Sequence, residues 1–167
     1  MSTAAAAGAW YACHTRPRCE KKFAALLAAE SFEHYLPLVP SIRRYASGTK
    51  RFTKPLFPGY VFARVPAAGK PRIYQQELLA RAIPVDDEAG FLGQLEDVRR
   101  IVASGAELTV IPLLTRGRRV RVVGGPLHGL EGQVDDPSNP HGIVISVDVL
   151  RQGLLLRMPA ESLRALP

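Results

Sequence analysis

The spacing of apolar positions changes along this chain, and the change divides it. Trp10-Tyr11-Ala12-Cys13-His14-Thr15 is short, aromatic and bounded by Arg16-Pro17, which predicts a strand that ends in a turn. Pro17 suits a first helical residue. Beyond it Phe23, Leu26, Leu27 and Glu30 share one helical face and leave Arg18, Lys21 and Lys22 solvated near the first turn. Tyr35 to Ile42 carries two prolines, so it reads as extended chain. A basic turn, Arg43 to Arg51, reverses it at Ser47-Gly48 and predicts a hairpin with a charged tip.

The return strand passes a proline-rich corner, Pro55-Leu56-Phe57-Pro58-Gly59, and is strongest in Tyr60-Val61-Phe62-Ala63-Arg64-Val65. Alternation there puts Tyr60, Phe62 and Arg64 on one face and Val61, Ala63 and Val65 on the other. Pro71 opens a predicted short helix through Leu79, and Phe91 to Val102 repeats apolar residues with a helical period that Ser104-Gly105 stops. Leu108 to Leu114 reads as a linker, though an unusually apolar one that is expected to pack on something.

After Gly117 the pattern changes to short alternating strands and glycine-rich turns. Arg119-Val120-Arg121-Val122, Gln133-Val134, Ile143 to Leu150 and Leu154 to Met158 are strands, separated by Gly124-Gly125-Pro126, a polar loop from Asp135 to Gly142, and Arg151-Gln152-Gly153. About fifty residues of this kind predict a small β-barrel. The fold class expected is α+β: a mixed antiparallel sheet flanked by helices over residues 10–104, a linker over 105–116, and a barrel over 117–167. Residues 1–9 read as a disordered tail.

Composition narrows the function. The chain has 167 residues, 47% of them apolar, which suits a globular protein of one or two domains. No run of about 18 apolar residues occurs, and the alanine-rich start lacks the basic flank of a signal peptide, so no membrane partner is expected. Two cysteines are too few for a disulfide framework and fit a reducing cytoplasm. Residues 1–72 carry 12 Lys and Arg against 3 Asp and Glu, residues 73–110 carry 3 against 7, and residues 111–167 carry 7 against 5. The electropositive end is therefore the amino-terminal one, and a polyanion is its natural partner.

Trp10-Tyr11 at the first strand, the Phe57-Pro58-Gly59-Tyr60-Val61 corner and the run from Gly117 to Val134 occur in the order and spacing of the NusG family of transcription elongation factors, which the chain resembles from Ala9 onward. The resemblance implies an NGN domain followed by an SH3-like KOW barrel, with no catalytic residues, metal or cofactor. It implies that the NGN domain lies on the clamp helices of RNA polymerase and that the KOW barrel recruits the ribosome or Rho, in a monomeric factor. Trp10, Phe57, Pro58, Tyr60 and Phe62 are the expected polymerase-binding residues, since proline before a tight glycine turn fixes a corner around which rings can form a shallow pocket. The KOW motif is carried by Gly117, Val120, Val122, Gly125, Pro126, Gly129, Gly132 and Val134.

Specialised members similar to RfaH also hold the non-template DNA strand with basic residues at the start of the first helix. The matching residues are Arg16, Arg18, Lys21 and Lys22, to which the hairpin adds Arg43 and Arg44. The corner and the apolar linker look like those of operon-specific paralogues, which implies antitermination on particular genes. Two departures are visible: Ala80 to Val85 is shorter than the family's strand after the second helix, so that edge of the sheet is expected to differ. Gly69-Lys70-Pro71-Arg72 also lacks the hydroxyl cluster of a second polymerase contact.

Two other classes stay open at this stage. A KOW-type RNA-binding or ribosome-associated protein would grip RNA with Arg119, Arg121 and His128. An enzyme or zinc site would use Cys13, His14, Cys19 and His34, but their spacing matches no common zinc pattern. Asp86-Asp87-Glu88 has no histidine to complete an acid–base pair, and Gly124-Gly125-Pro126 lacks the lysine of a phosphate loop.

Overall fold

A computed structural model describes residues 8–113, 117–136 and 140–167 of the chain. Most of the expected tail, residues 1–7, and the centre of the polar loop, residues 137–139, lie outside the described residues. The chain forms two compact units, Met1–Glu88 and Ala89–Pro167.

The first unit is built on a four-stranded antiparallel sheet. Strand β1 (Ala9–Thr15) lies at its centre, between β5 (Tyr60–Val65) and β6 (Leu79–Pro84), and β2 (His34–Tyr35) extends the β5 side. The Ala80 to Val85 segment is therefore the edge strand β6, paired with β1 through a register shift at His14/Thr15. Between β1 and β2 runs helix α1 (Glu20–Ala29). It starts later than Pro17 because Arg18 adopts a left-handed backbone, φ 62°, that no helix can include. Its other end closes with Ser31 in the left-handed position that glycine usually takes, Phe32 N–H bonding back to Leu27 C=O at 3.0 Å.

Phe23 and Leu27 of α1 and Ile73 of the one-turn helix α2 (Lys70–Ile73) pack with Cys13, Val61, Ala63 and Val65 in the core of this unit. The helix expected to run to Leu79 breaks after α2, because Gln76 and Glu77 take φ 62° and 55°. Strands β3 (Leu38–Tyr45) and β4 (Gly48–Pro55) form a separate two-stranded sheet. The charged stretch that sequence places in a turn is thus mostly strand, and the reversal occupies only residues 45–48.

The second unit holds helix α3 (Glu88–Ser104) and a six-stranded antiparallel sheet in the order β12, β8, β9, β10, β11, β7. These strands are β7 (Leu108–Pro112), β8 (Arg119–Val122), β9 (Glu131–Val134), β10 (Gly142–Val147), β11 (Gln152–Arg157) and β12 (Leu163–Ala165). Among the described residues no pairing joins β12 to β7, so the sheet is open where a closed barrel was expected. Of the stretch read as a linker, Leu108–Pro112 is strand β7, hydrogen-bonded to β11 from Leu108↔Leu156 to Pro112↔Gln152, while residues 114–116 lie outside the described residues. That pairing explains why a connecting segment carries Leu108, Val110 and Ile111: the outer strand of a sheet needs such residues and a tether does not.

Arg151, φ 53°, makes the reversal between β10 and β11. Ile143, Ile145, Leu154 and Leu156 are fully buried side chains of these two strands. Gly132 of β9 lies so close beneath β10 that a Cβ there would come within 2.4 Å of the Val144 carbonyl oxygen. Backbone does not yield as a flexible side chain does, so Gly132→Ala is expected to lower stability by about 1–3 kcal/mol, read as a shift of the urea midpoint with an unchanged slope.

On the outer side of the sheet Glu131 accepts a hydrogen bond from Arg121 Nε at 3.1 Å, and Arg119 lies 3.8 Å away. The Arg121 bond first, then the charges of Arg121 and Arg119, hold the Glu131 carboxyl below its ordinary range. A group whose pKa is lowered by folding contributes stability above its unfolded pKa and loses it as pH falls through the folded one. The thermal midpoint of wild type is therefore expected to exceed that of Glu131→Gln slightly at neutral pH, the pair being solvent-exposed. The two curves should converge as acid neutralises Glu131.

Candidate functional site

The corner between β4 and β5 is fixed from three directions. Gly59 takes φ 87°, a conformation open to glycine at little cost. Its N–H donates to Glu20 Oε2 at 3.1 Å, its carbonyl accepts from Thr15 N–H at 2.8 Å, and Tyr60 N–H donates to Phe57 C=O at 3.0 Å. Glu20 stands in the first turn of α1, where the helix's partial positive charge favours a carboxylate. Although only 8% exposed, it has a partner for its charge in the Gly59 amide. Tyr60 stacks on His14, its cross-strand partner, with ring centroids 4.9 Å apart and planes 20° from parallel.

The five residues expected to meet a polymerase divide at this corner. Trp10, Phe57 and Phe62 are 4%, 1% and 0% exposed, so the expectation that their rings form an open pocket is corrected. The reason lies in the turn: the Tyr60 to Phe57 hydrogen bond rolls the Phe57 ring inward, where it meets Phe62 edge-to-face at 6.2 Å. Pro58 is exposed and Tyr60 half-buried. The accessible surface is thus Pro58, Tyr60 and half-buried His14, with Phe57 and Phe62 sealed away.

The basic residues are also sorted by the fold. Arg16, Arg18, Lys21 and Lys22 all lie exposed in the connection from β1 into the first turn of α1. Lys21 Nζ donates to the Thr53 carbonyl oxygen at 2.7 Å and so braces the root of the β3–β4 hairpin. Arg43 and Arg44 are neighbours on a strand and point to opposite faces, Arg43 beside Lys50 and Arg44 beside Thr49.

In the second unit the run from Gly117 to Val134 folds as the β8–β9 pair around a turn. Val120, Val122, Gly132 and Val134 are buried, Gly117 is half-buried, and Gly125, Pro126 and Gly129 form the exposed turn. Gly125 and Gly129 take φ 76° and 89°, and His128 Nδ1 accepts the Gly124 N–H at 2.7 Å. From α3, Arg100 donates to the Pro126 and His128 carbonyls at 3.2 and 2.9 Å, while Gln94 and Asp148 exchange two hydrogen bonds.

The thiol and imidazole residues do not assemble. Burial pushes the Cys13 thiol up to about 12, which keeps it protonated and unreactive at neutral pH. His34 Nδ1 lies 2.9 Å from the Phe32 carbonyl oxygen. Among the described residues no three His, Cys, Asp or Glu side chains are grouped to hold a metal ion, and no helix is long and apolar enough to cross a membrane.

The family described as transcription termination factor NusG matches residues 8–116, well over half the chain, including β1, the corner and the hairpin. The chain belongs to the NusG family. That family is one of transcription factors rather than enzymes. No curated protein matches the chain. Among solved structures it is similar to a chain in the crystal structure of the MjSpt4:Spt5 complex, conformation B, at 18% identity over 94% of this chain and 96% of that one. The TM-score of that superposition is 0.33, too loose to carry an argument.

Sequence reasoning missed His14 and Glu20 as parts of the corner. His14 was signalled by the alternation Trp10, Ala12, His14 in β1, but Glu20 had no signal because its partner Gly59 is 39 residues away. Glu20→Ala would leave the Gly59 N–H without its partner, and is expected to cost about 1–3 kcal/mol in urea unfolding, with Glu20→Gln recovering part of the loss.

Proposed function

We propose that this protein is a transcription elongation regulator that docks on RNA polymerase with its amino-terminal portion, residues 10–104, and promotes processive elongation as an antiterminator of the RfaH-like kind. The observation that carries the reading is the NusG-family match over residues 8–116, which contains the rigid corner. Docking falls to the accessible part of that corner, Pro58, Tyr60 and His14, while Trp10, Phe57 and Phe62 set its shape from beneath. A partner helix tip meets a surface already ordered by Glu20 and Thr15, so little conformational entropy remains to be lost on binding.

Arg16, Arg18 and Lys22 are the cations offered to the non-template DNA strand, with Lys21 linking them to the hairpin. Residues 117–167 act as a KOW module that recruits the ribosome or Rho, and the factor works as a monomer in the cytoplasm. The rival reading, in which Arg119, Arg121 and His128 grip RNA, is disfavoured because both guanidiniums already lie against Glu131 and His128 Nδ1 accepts the Gly124 N–H.

The test is co-purification with core RNA polymerase. Tyr60→Ala is expected to weaken capture at least about tenfold, the loss typical of an aromatic anchor, with an unchanged circular-dichroism spectrum. Capture at the wild-type level by Tyr60→Ala and by Pro58→Ala together would remove the corner from the interface.

A further inference from the structure

The β3–β4 hairpin carries a pattern that polymerase docking leaves unused. Its register puts Val39 and Lys54, Ser41 and Phe52, Arg43 and Lys50, and Tyr45 and Gly48 side by side on one face. Phe52 and Tyr45 are 42% and 46% exposed there, a costly placement for aromatic rings on a strand that could have been polar. The Arg43 guanidinium lies 5.6 Å from the centre of the Phe52 ring, and the Lys50 ammonium 5.9 Å from that of Tyr45. From Leu38 to Pro55 there is no Asp or Glu at all.

We propose that this face binds single-stranded DNA, with Phe52 and Tyr45 stacking on bases and Arg43, Lys50 and Lys54 holding the phosphates between them. Rings interleaved with cations are what an unpaired strand needs, since every base offers a flat face and every link a negative charge. In the free protein the two cations cover the rings. An incoming base takes the ring face, and the displaced cation moves onto the adjacent phosphate.

Phe52 and Tyr45 sit two pleat repeats apart, about 13 Å along the strand. They therefore take bases that are not adjacent, with the Arg43/Lys50 pair between them. A duplex hides its base faces, so it could use the cations but not the rings. An apolar protein partner is disfavoured because it would strip water from three cations without supplying counter-charge. DNA rather than RNA is the ligand because the face has few groups to read a ribose 2′-hydroxyl: Ser41 is half-buried, leaving only the Tyr45 phenol. The inference rests on the reading of the amino-terminal basic surface as a DNA contact, and it is independent of polymerase docking.

The test measures binding of the purified full-length chain to fluorescein-labelled oligo-dT of about twelve nucleotides, to oligo-U of the same length and to the matching duplex, by anisotropy at several salt concentrations. Phe52→Ala and Tyr45→Ala are each expected to weaken oligo-dT binding at least about fivefold with no change in salt slope, and duplex binding less than about twofold. Ile42→Ala, on the opposite face, should leave all three unchanged. Phe52→Trp should restore affinity and show indole quenching on titration with oligo-dT, which separates stacking from loss of the hairpin. Wild-type oligo-dT affinity in both alanine variants, or an unquenched Phe52→Trp, would overturn the stacking face while leaving the DNA reading intact. Tighter binding of oligo-U than of oligo-dT would overturn the assignment to DNA. If wild type binds no nucleic acid, both this inference and the DNA contact fall, and the polymerase capture experiment still stands on its own.

Discussion

A single carboxylate bonded to a backbone amide, Glu20 on Gly59, is the contact on which the amino-terminal surface depends. Glycine at φ 87° is free to turn in more than one way, and a corner built on it alone would sample several shapes. Glu20 from α1 and Thr15 from β1 take both polar groups of that residue and leave it one. The consequence spreads outward. Phe57 is turned against Phe62, Tyr60 is laid on His14, and Pro58 is left as the outermost point. Burial of the carboxylate, which alone would be unfavourable, is offset by a charge-assisted bond and by the helix end it occupies.

Much of this architecture was legible in the residues, because the patterns that specify it are local. The alternation of Tyr60, Phe62 and Arg64 against Val61, Ala63 and Val65 fixed the faces of β5, and the helical spacing from Phe91 fixed α3. What local pattern could not give was which face would be covered. Both faces of the central strands are apolar, so Trp10 and Phe62 were open to a surface role until burial assigned them to the interior. Backbone irregularities were also silent: Arg18, Gln76 and Arg151 adopt left-handed conformations with no glycine to announce them. The strand β7 escapes notice for a related reason, since its partners in β11 lie 40 to 48 residues further on.

The six-stranded sheet and the two-stranded hairpin meet the edge problem differently. In the second unit the outer strands are short or carry Pro112, which cannot donate a hydrogen bond to a further strand. Among the described residues the hairpin of the first unit has no third strand, and two strands alone are marginal in water. It is held at its root by Lys21 on Thr53 and by Leu56 N–H on the Pro37 carbonyl, and its like charges repel further strands.

Lys21 also has a mechanical meaning. It is the residue next to Glu20, so the brace of the hairpin and the lock of the corner leave adjacent positions of one helical turn. Thr53 at the root of the hairpin and Gly59 at the bend are therefore both tied to α1 within one peptide unit. The first turn of α1 is thus a shared footing: one short stretch of helix anchors two neighbouring pieces of the surface, and unwinding it would release both together.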